Sequence, residues 1–246
     1  MNNDDLTILP IMPEENEFNV SRPLHPNLPD VYRGQLLCIV GPVRSGKGCL
    51  IWNLILGKSF YEDLFDTVAI IQPTCFNDSS ARFAVQKYRD TCFDKYDDKI
   101  IEDLIENQKR KKKIDGENTS YALIIDDCVG EFNKHSNSKS GGAVLNFTSR
   151  FRHYVTKPDP CLIIYSTQKY LDLIGLIRNN MTGILLSGAI KNKKELDSLR
   201  YDLDDTFGGK FNEIMAKARE IPYSWVYFRL DSTPVQCFLN FKEQLF

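Results

Sequence analysis

Gly41-Pro42-Val43-Arg44-Ser45-Gly46-Lys47 places two glycines around four residues and follows the second with lysine. That spacing folds backbone N–H groups around a phosphate, with the lysine beside the β- and γ-phosphates. The loop needs a strand before it and a helix after it, because the helix start adds the positive end of its dipole. Both are present: Leu36-Leu37-Cys38-Ile39-Val40 is a short apolar run, and Leu50-Ile51-Trp52-Asn53-Leu54-Ile55-Leu56 has helical character. The expected phosphate cradle is Gly41, Pro42, Val43, Arg44, Ser45, Gly46, Lys47, Gly48 and Cys49. Position 48 departs from the pattern. Ser or Thr normally supplies a hydroxyl for Mg²⁺ there, and neighbouring Cys49 is a soft ligand badly suited to that cation. Without that hydroxyl Mg²⁺ must rely on other ligands, and activity that is weak or more dependent on assembly is expected.

A second constellation lies downstream. Tyr121-Ala122-Leu123-Ile124-Ile125 is an apolar strand ending in Asp126-Asp127. In partnership with a phosphate loop, Asp126 would hold Mg²⁺, mainly through water, and Asp127 would polarise the attacking water. A further apolar strand, Cys161 to Tyr165, ends in Ser166-Thr167-Gln168. The Gln168 amide could reach the γ-phosphate or that water. Paired acids at a strand end also serve as helix caps, so it is Lys47 upstream that gives the pair its catalytic reading.

The elements that must position these groups alternate in type. Strands are expected at 36–40, 68–72, 121–125, 161–165 and 184–186, with helices at about 47–57, 144–154, 173–180 and 191–202. Alternation of this kind points to an α/β fold with a parallel sheet. The region 77–120 is polar and mostly helical in pattern. The tail alternates, Tyr223 to Phe228 against Val235 to Leu239 across Asp231-Ser232-Thr233-Pro234, which reads as a terminal hairpin. Residues 1–30 carry five prolines among polar residues and read as an extended arm, leaving 31–246 as one domain. A Gly/Ser/Asn-rich loop runs from Ser136 to Gly142.

Composition is that of a globular chain: 246 residues, 42% hydrophobic, 26% charged and a net charge of −2, so no global basic field advertises nucleic acid. Any such contact must be local; Lys109-Arg110-Lys111-Lys112-Lys113 and Lys191, Lys193, Lys194 are the candidates. The basic run reads at least as well as a solvated loop. Seven cysteines form no CxxC pair, and Cys38, Cys128 and Cys161 sit in or beside apolar runs, which favours buried thiols in a reducing compartment. No apolar run reaches the ~20 residues needed to span a bilayer, and the acidic Met1-Asn2-Asn3-Asp4-Asp5 lacks a signal-peptide start.

The order of phosphate loop, Asp126-Asp127, Arg152-His153, Ser166-Thr167-Gln168 and Arg178-Asn179-Asn180 resembles the FtsK/HerA superfamily of P-loop ATPases. Within it, the chain is most similar to the DNA-packaging ATPases of poxvirus-like large DNA viruses and virophages. The resemblance covers residues 34–190. It implies a RecA-like (ASCE) P-loop NTPase fold, a mostly parallel sheet of order 5-1-4-3-2 flanked by helices, here with the C-terminal β-hairpin. It also implies ATP and Mg²⁺ as cofactors, a homo-oligomeric ring (pentamer or hexamer), double-stranded DNA gripped by its backbone, and capsid proteins as further partners. Localisation would be the host cytoplasm, in a viral factory, or the virion. A neighbouring subunit's arginine would complete each site, with Arg152 first and Arg178 second by position. Two other functions remain open at this point: a small-molecule kinase, and an assembly protein with a degenerate nucleotide site.

Overall fold

A computed structural model describes residues 20–128, 130–131 and 142–246. Residues 1–19 of the expected arm and most of the 136–142 loop lie outside them. The elements in chain order are β1 (Gln35–Val40), α1 (Lys47–Leu56), β2 (Thr67–Ile71), α2 (Arg82–Lys87), β3 (Cys92–Phe93), α3 (Asp98–Lys111) and β4 (Tyr121–Asp126). There follow α4 (Gly142–Arg150), β5 (Cys161–Thr167), α5 (Gly175–Asn180), β6 (Gly183–Ser187), α6 (Lys193–Leu203), α7 (Phe211–Arg219), β7 (Trp225–Arg229), β8 (Gln236–Leu239) and β9 (Glu243–Gln244).

One sheet runs β3-β2-β4-β5-β1-β6-β7-β8-β9. Strands β3 to β6 pair in parallel, and β7, β8 and β9 extend the β6 edge antiparallel. For the five strands legible in the sequence this is the expected order, 5-1-4-3-2. Every residue of β1, β4 and β5 is buried, as strands covered on both faces must be. The terminal hairpin is present, and pairing of Leu185 with Tyr227 makes it part of the main sheet rather than a separate flap.

Two apolar clusters cover the faces. One holds Ile51, Leu54 and Ile55 of α1 with Leu37, Ile39, Ile124 and Ile164 of the sheet. The other holds Ile101 and Leu104 of α3, Val144 and Phe147 of α4, and Phe211, Met215 and Ala218 of α7. Residues 22–29 lie on the same body: Arg22 donates to the Phe60 carbonyl at 2.8 Å, Asn27 to that of Phe241 at 3.0 Å, and Leu28 is buried. All seven cysteines are free thiols and only Cys49 is exposed. Burial pushes Cys92 up to about 11 and Cys161 and Cys237 up to about 12, which marks them as packing groups. Among the described residues no helix is long and apolar enough to cross a membrane.

The expected helix at 144–154 is shorter than its pattern, ending at Arg150 and tightening into a 3₁₀ turn over Phe151–Tyr154. The 77–120 region contains, besides α2 and α3, the short edge strand β3. Helix α7 was not expected, although Phe211, Ile214, Met215 and Ala218 fall on one face at helical spacing.

Candidate active site

The loop after β1 forms as its residue types require. Arg44 and Gly46 have φ of 64° and 89°, and Ser45 N–H donates to the Pro42 carbonyl at 3.2 Å. Left-handed residues among right-handed ones turn successive N–H groups to one side. Gly46 caps α1 with no side chain, so the first-turn N–H groups of that helix stay open to a ligand. Gly41 is held to its type by crowding. A Cβ there would fall 2.6 Å from Ser45 Oγ and 3.0 Å from Trp225.

Strand register assembles the rest. Val40 pairs with Thr167, and Asp126 pairs with Ser166. Strand β5 thus lies between β1 and β4, and their ends are level to within one residue. Gly41, Asp127 and Gln168 follow directly on these three strands, so the phosphate loop and the acidic pair flank the β5 end that carries Gln168. Gly41 and Asp127 both donate backbone N–H groups to β5, to Thr167 and Ser166 carbonyls at 3.2 and 3.0 Å.

Lys47 is buried at the loop's centre and its Nζ donates to the Gly41 carbonyl at 2.9 Å rather than to a carboxylate. Asp126 is 5% exposed, and its Oδ1 has no hydrogen-bond partner. Burial raises its carboxyl to about 6 from the ordinary 3.8. The nearby Ser166 hydroxyl pulls it down without completing a hydrogen bond, Asp127 raises it, Lys47 lowers it, and Asp78 raises it. Asp127 is exposed with φ of 52°, a left-handed conformation uncommon outside glycine that recurs at functional sites. Gln168 is also exposed.

The two arginines sit elsewhere. The Arg152 side chain packs against Gly34, which precedes β1, and Cys161, which opens β5. That is the opposite end of the strands from the phosphate loop, about 20 Å away at strand rise. Arg178 meets the Asp202 carboxylate at 3.5 Å and lies over the Tyr170 ring, whose hydroxyl also bonds Asp202. Neither lies with the phosphate loop in its own chain.

The basic run is divided: Lys109, Arg110, Lys112 and Lys113 are exposed and Lys111 is not. Lys111 is buried and bonded to Asp66 and Thr67, and Lys112 donates to the His153 carbonyl at 2.8 Å. Lys191, Lys193 and Lys194 are exposed after β6, at the phosphate-loop end of the sheet.

Two further groups are absent from the sequence reading. A cavity of about 670 Å³ opens beside the loop between α1 and the hairpin, lined by Arg44, Cys49, Asn53, Tyr223, Trp225 and Phe241 among others. Tyr223 is 74% exposed with φ of 57°. Alternation in the tail had accounted for it as a strand residue, which hid it. The second group is Gln72, Asp78 and Ser80, after β2. Asp78 with Ser80 two residues on is a turn-capping pattern, but nothing in the chain order says what it faces.

No family model matches the chain, and no curated protein matches its sequence. Solved structures do. The genome-packaging NTPase B204 of Sulfolobus turreted icosahedral virus 2, in complex with sulfate, aligns with a TM-score of 0.56 at 19% identity over 84% of this chain and 96% of that one. The same NTPase with ATP-gammaS gives 0.53 at 19% identity, over 82% and 95%. B204, the DNA-packaging ATPase from Sulfolobus Turreted Icosahedral Virus, gives 0.56 at 18%, over 82% and 96%. The chain has the fold of a viral genome-packaging NTPase. Nearly the whole of each neighbour is spanned.

Proposed function

We propose that this chain is an ATP-hydrolysing motor that translocates double-stranded DNA, packaging a viral genome into its capsid. The observation that carries the reading is the meeting of Gly41–Cys49, Asp126-Asp127 and Gln168 at the level ends of β1, β4 and β5. The ATP-gammaS and AMPPCP complexes of the B204 neighbour support a nucleotide as the ligand.

In this reading the loop N–H groups and the α1 start cradle the triphosphate. Lys47 exchanges its bond to Gly41 for the β- and γ-phosphate oxygens. Asp127 orients water for in-line attack and takes its proton, and the β–γ bridging oxygen leaves on ADP with the bonding pair. Gln168 reads the γ-phosphate. The residues fit Mg²⁺: Asp126 offers a buried oxygen with no other partner, and an ion on a nucleotide takes most ligands from phosphate and water. When bound, that ion neutralises charge on the transferring phosphoryl group. The cavity beside Tyr223 has the size and aromatic lining for the base.

Coupling to DNA would run through the segment after Gln168. Glu195 is buried and accepts N–H groups of Tyr170 and Leu171 at 2.7 and 3.4 Å, tying this segment to the start of α6. The same start bears Lys193 and Lys194, so movement of Gln168 moves exposed positive charge. A homo-oligomeric ring, pentamer or hexamer, would bring a neighbour's arginine to each site. Arg152 is the better finger, since Arg178 is engaged by Asp202 and Tyr170. Capsid proteins would be the remaining partner.

The test is the ATPase rate, with and without double-stranded DNA, over a range of protein concentrations. Stimulation by DNA with a steeper than linear rise supports a motor with shared sites. A rate per chain that ignores both would remove it in favour of the kinase alternative.

A further inference from the structure

The departure at position 48 and the turn after β2 meet in space. Asp78 shapes that turn: Oδ1 accepts the Ser80 N–H at 2.8 Å, and Oδ2 accepts from Gln72 Nε2 at 3.3 Å. A Cβ placed on Gly48 would lie 2.9 Å from Ser80 Oγ and 4.0 Å from Asp78 Oδ2. These two side chains therefore fill the space that a Ser or Thr at position 48 would use. Glycine is what admits them to the start of α1. An independent sign of a ligand comes from the neighbouring strand end: Asp126, 5% exposed, keeps Oδ1 without a partner, as Gln72 does its Oε1.

Resting on the nucleotide-hydrolysis reading above, we propose that Asp78, with Ser80, replaces the missing position-48 hydroxyl as a holder of the phosphate-bound divalent cation. The exchange is chemically sound. A carboxylate is a harder and more strongly charged donor than a hydroxyl, and one or two carboxylates plus phosphates and waters satisfy Mg²⁺. It also carries a consequence. With Asp78, Asp126 and Asp127 gathered near the phosphates, nucleotide without cation meets more negative charge than in a site with a neutral Ser or Thr. Dependence of nucleotide affinity on the cation is correspondingly steeper. A Gly48→Thr change alone displaces Ser80 and brings no gain.

The experiment titrates Mn²⁺ by electron paramagnetic resonance against the full chain saturated with a non-hydrolysable ATP analogue. Asp78→Asn keeps the acceptor for Ser80 N–H, so the turn is retained, and it weakens Mn²⁺ binding about 10–100-fold. Affinity for the analogue without metal stays level or tightens in that variant. Ser80→Ala gives a smaller loss, which Gly48→Ser in the same chain reverses by returning a hydroxyl from α1; this pair decides the matter if Asp78→Asn unfolds. Mn²⁺ affinity within about twofold of the parent in Asp78→Asn overturns the proposal while leaving hydrolysis intact. Failure of the unaltered chain to bind the analogue at all overturns both.

Discussion

The two ends of the central sheet are built from similar residues and treated differently. At the N-terminal end several polar groups find partners: Lys111 with Asp66 and Thr67, Thr119 with Asp159, Thr182 with Gln35 and the Leu36 carbonyl. At the C-terminal end Ser45 Oγ, Trp52 Nε1, Gln72 Oε1, Asp126 Oδ1 and Ser166 Oγ are buried without partners, and Arg44 and Asp127 hold left-handed backbone. A buried polar atom left unpaired costs about 1–3 kcal/mol, so a group of them at one end is a standing expense that folding alone does not require. The difference separates closure from function. One end is closed mostly by the chain's own pairs, and the other carries the open phosphate loop. Gln108 in α3, Arg178 Nε, and Tyr227 Oη and Ser232 Oγ toward the N-terminal end are also buried without partners and have no account in these terms.

That contrast can be broken by mutation. The largest effect is expected for Lys47→Ala, which removes a positioned charge from the phosphoryl group and lowers kcat by about 10²–10³-fold, measured in a steady-state ATPase assay. Stability should be affected far less than turnover; equal loss of both would make Lys47 a folding residue. Next is Asp126→Asn. Asp126 titrates near 6 in the folded chain against an ordinary 3.8, so its folded state favours the protonated acid. Its contribution to stability is present below pH 3.8 and is lost as pH rises through about 6. The amide should therefore raise the stability of the nucleotide-free protein at pH 7–8 by on the order of 2–3 kcal/mol, with the gain vanishing below about pH 4. Denaturant melts across pH check both sign and window.

At the opposite end, Lys111→Ala should cost about 1 kcal/mol of stability by loss of a partly exposed pair and leave the ATPase KM and kcat unchanged. Altered turnover would show that the end assigned to closure also serves the reaction. The smallest effect is expected for Tyr223→Ala, a loss of about 0.5–1.5 kcal/mol in nucleotide affinity, near threefold to tenfold, read by fluorescent-nucleotide titration. Unchanged affinity would place the base outside the cavity.

Much of this was legible in the residues. The five parallel strands announced themselves because burial on both faces needs uninterrupted apolar runs, and three of those runs ended at residues that chemistry could use. Asp126-Asp127 and Gln168 stood out for that reason. The edge strand β3 was not, since two residues carry no period, and α7 was masked by its charged face. Five basic residues in succession hid one distinction: α3 turns Lys111 inward to Asp66 while Lys109 stays exposed.

By itself the sequence determined the kind of chemistry, because a phosphate loop is a local object whose glycines, lysine and flanking elements are contiguous. Only the tertiary structure decided what completes it. Parallel crossovers bring residues 41, 127 and 168 to one sheet end, and the turn after β2 sets Asp78 and Ser80 in the space left by Gly48. A missing side chain leaves no trace in the sequence of what occupies its place, since that depends on strand register and packing between segments thirty residues apart.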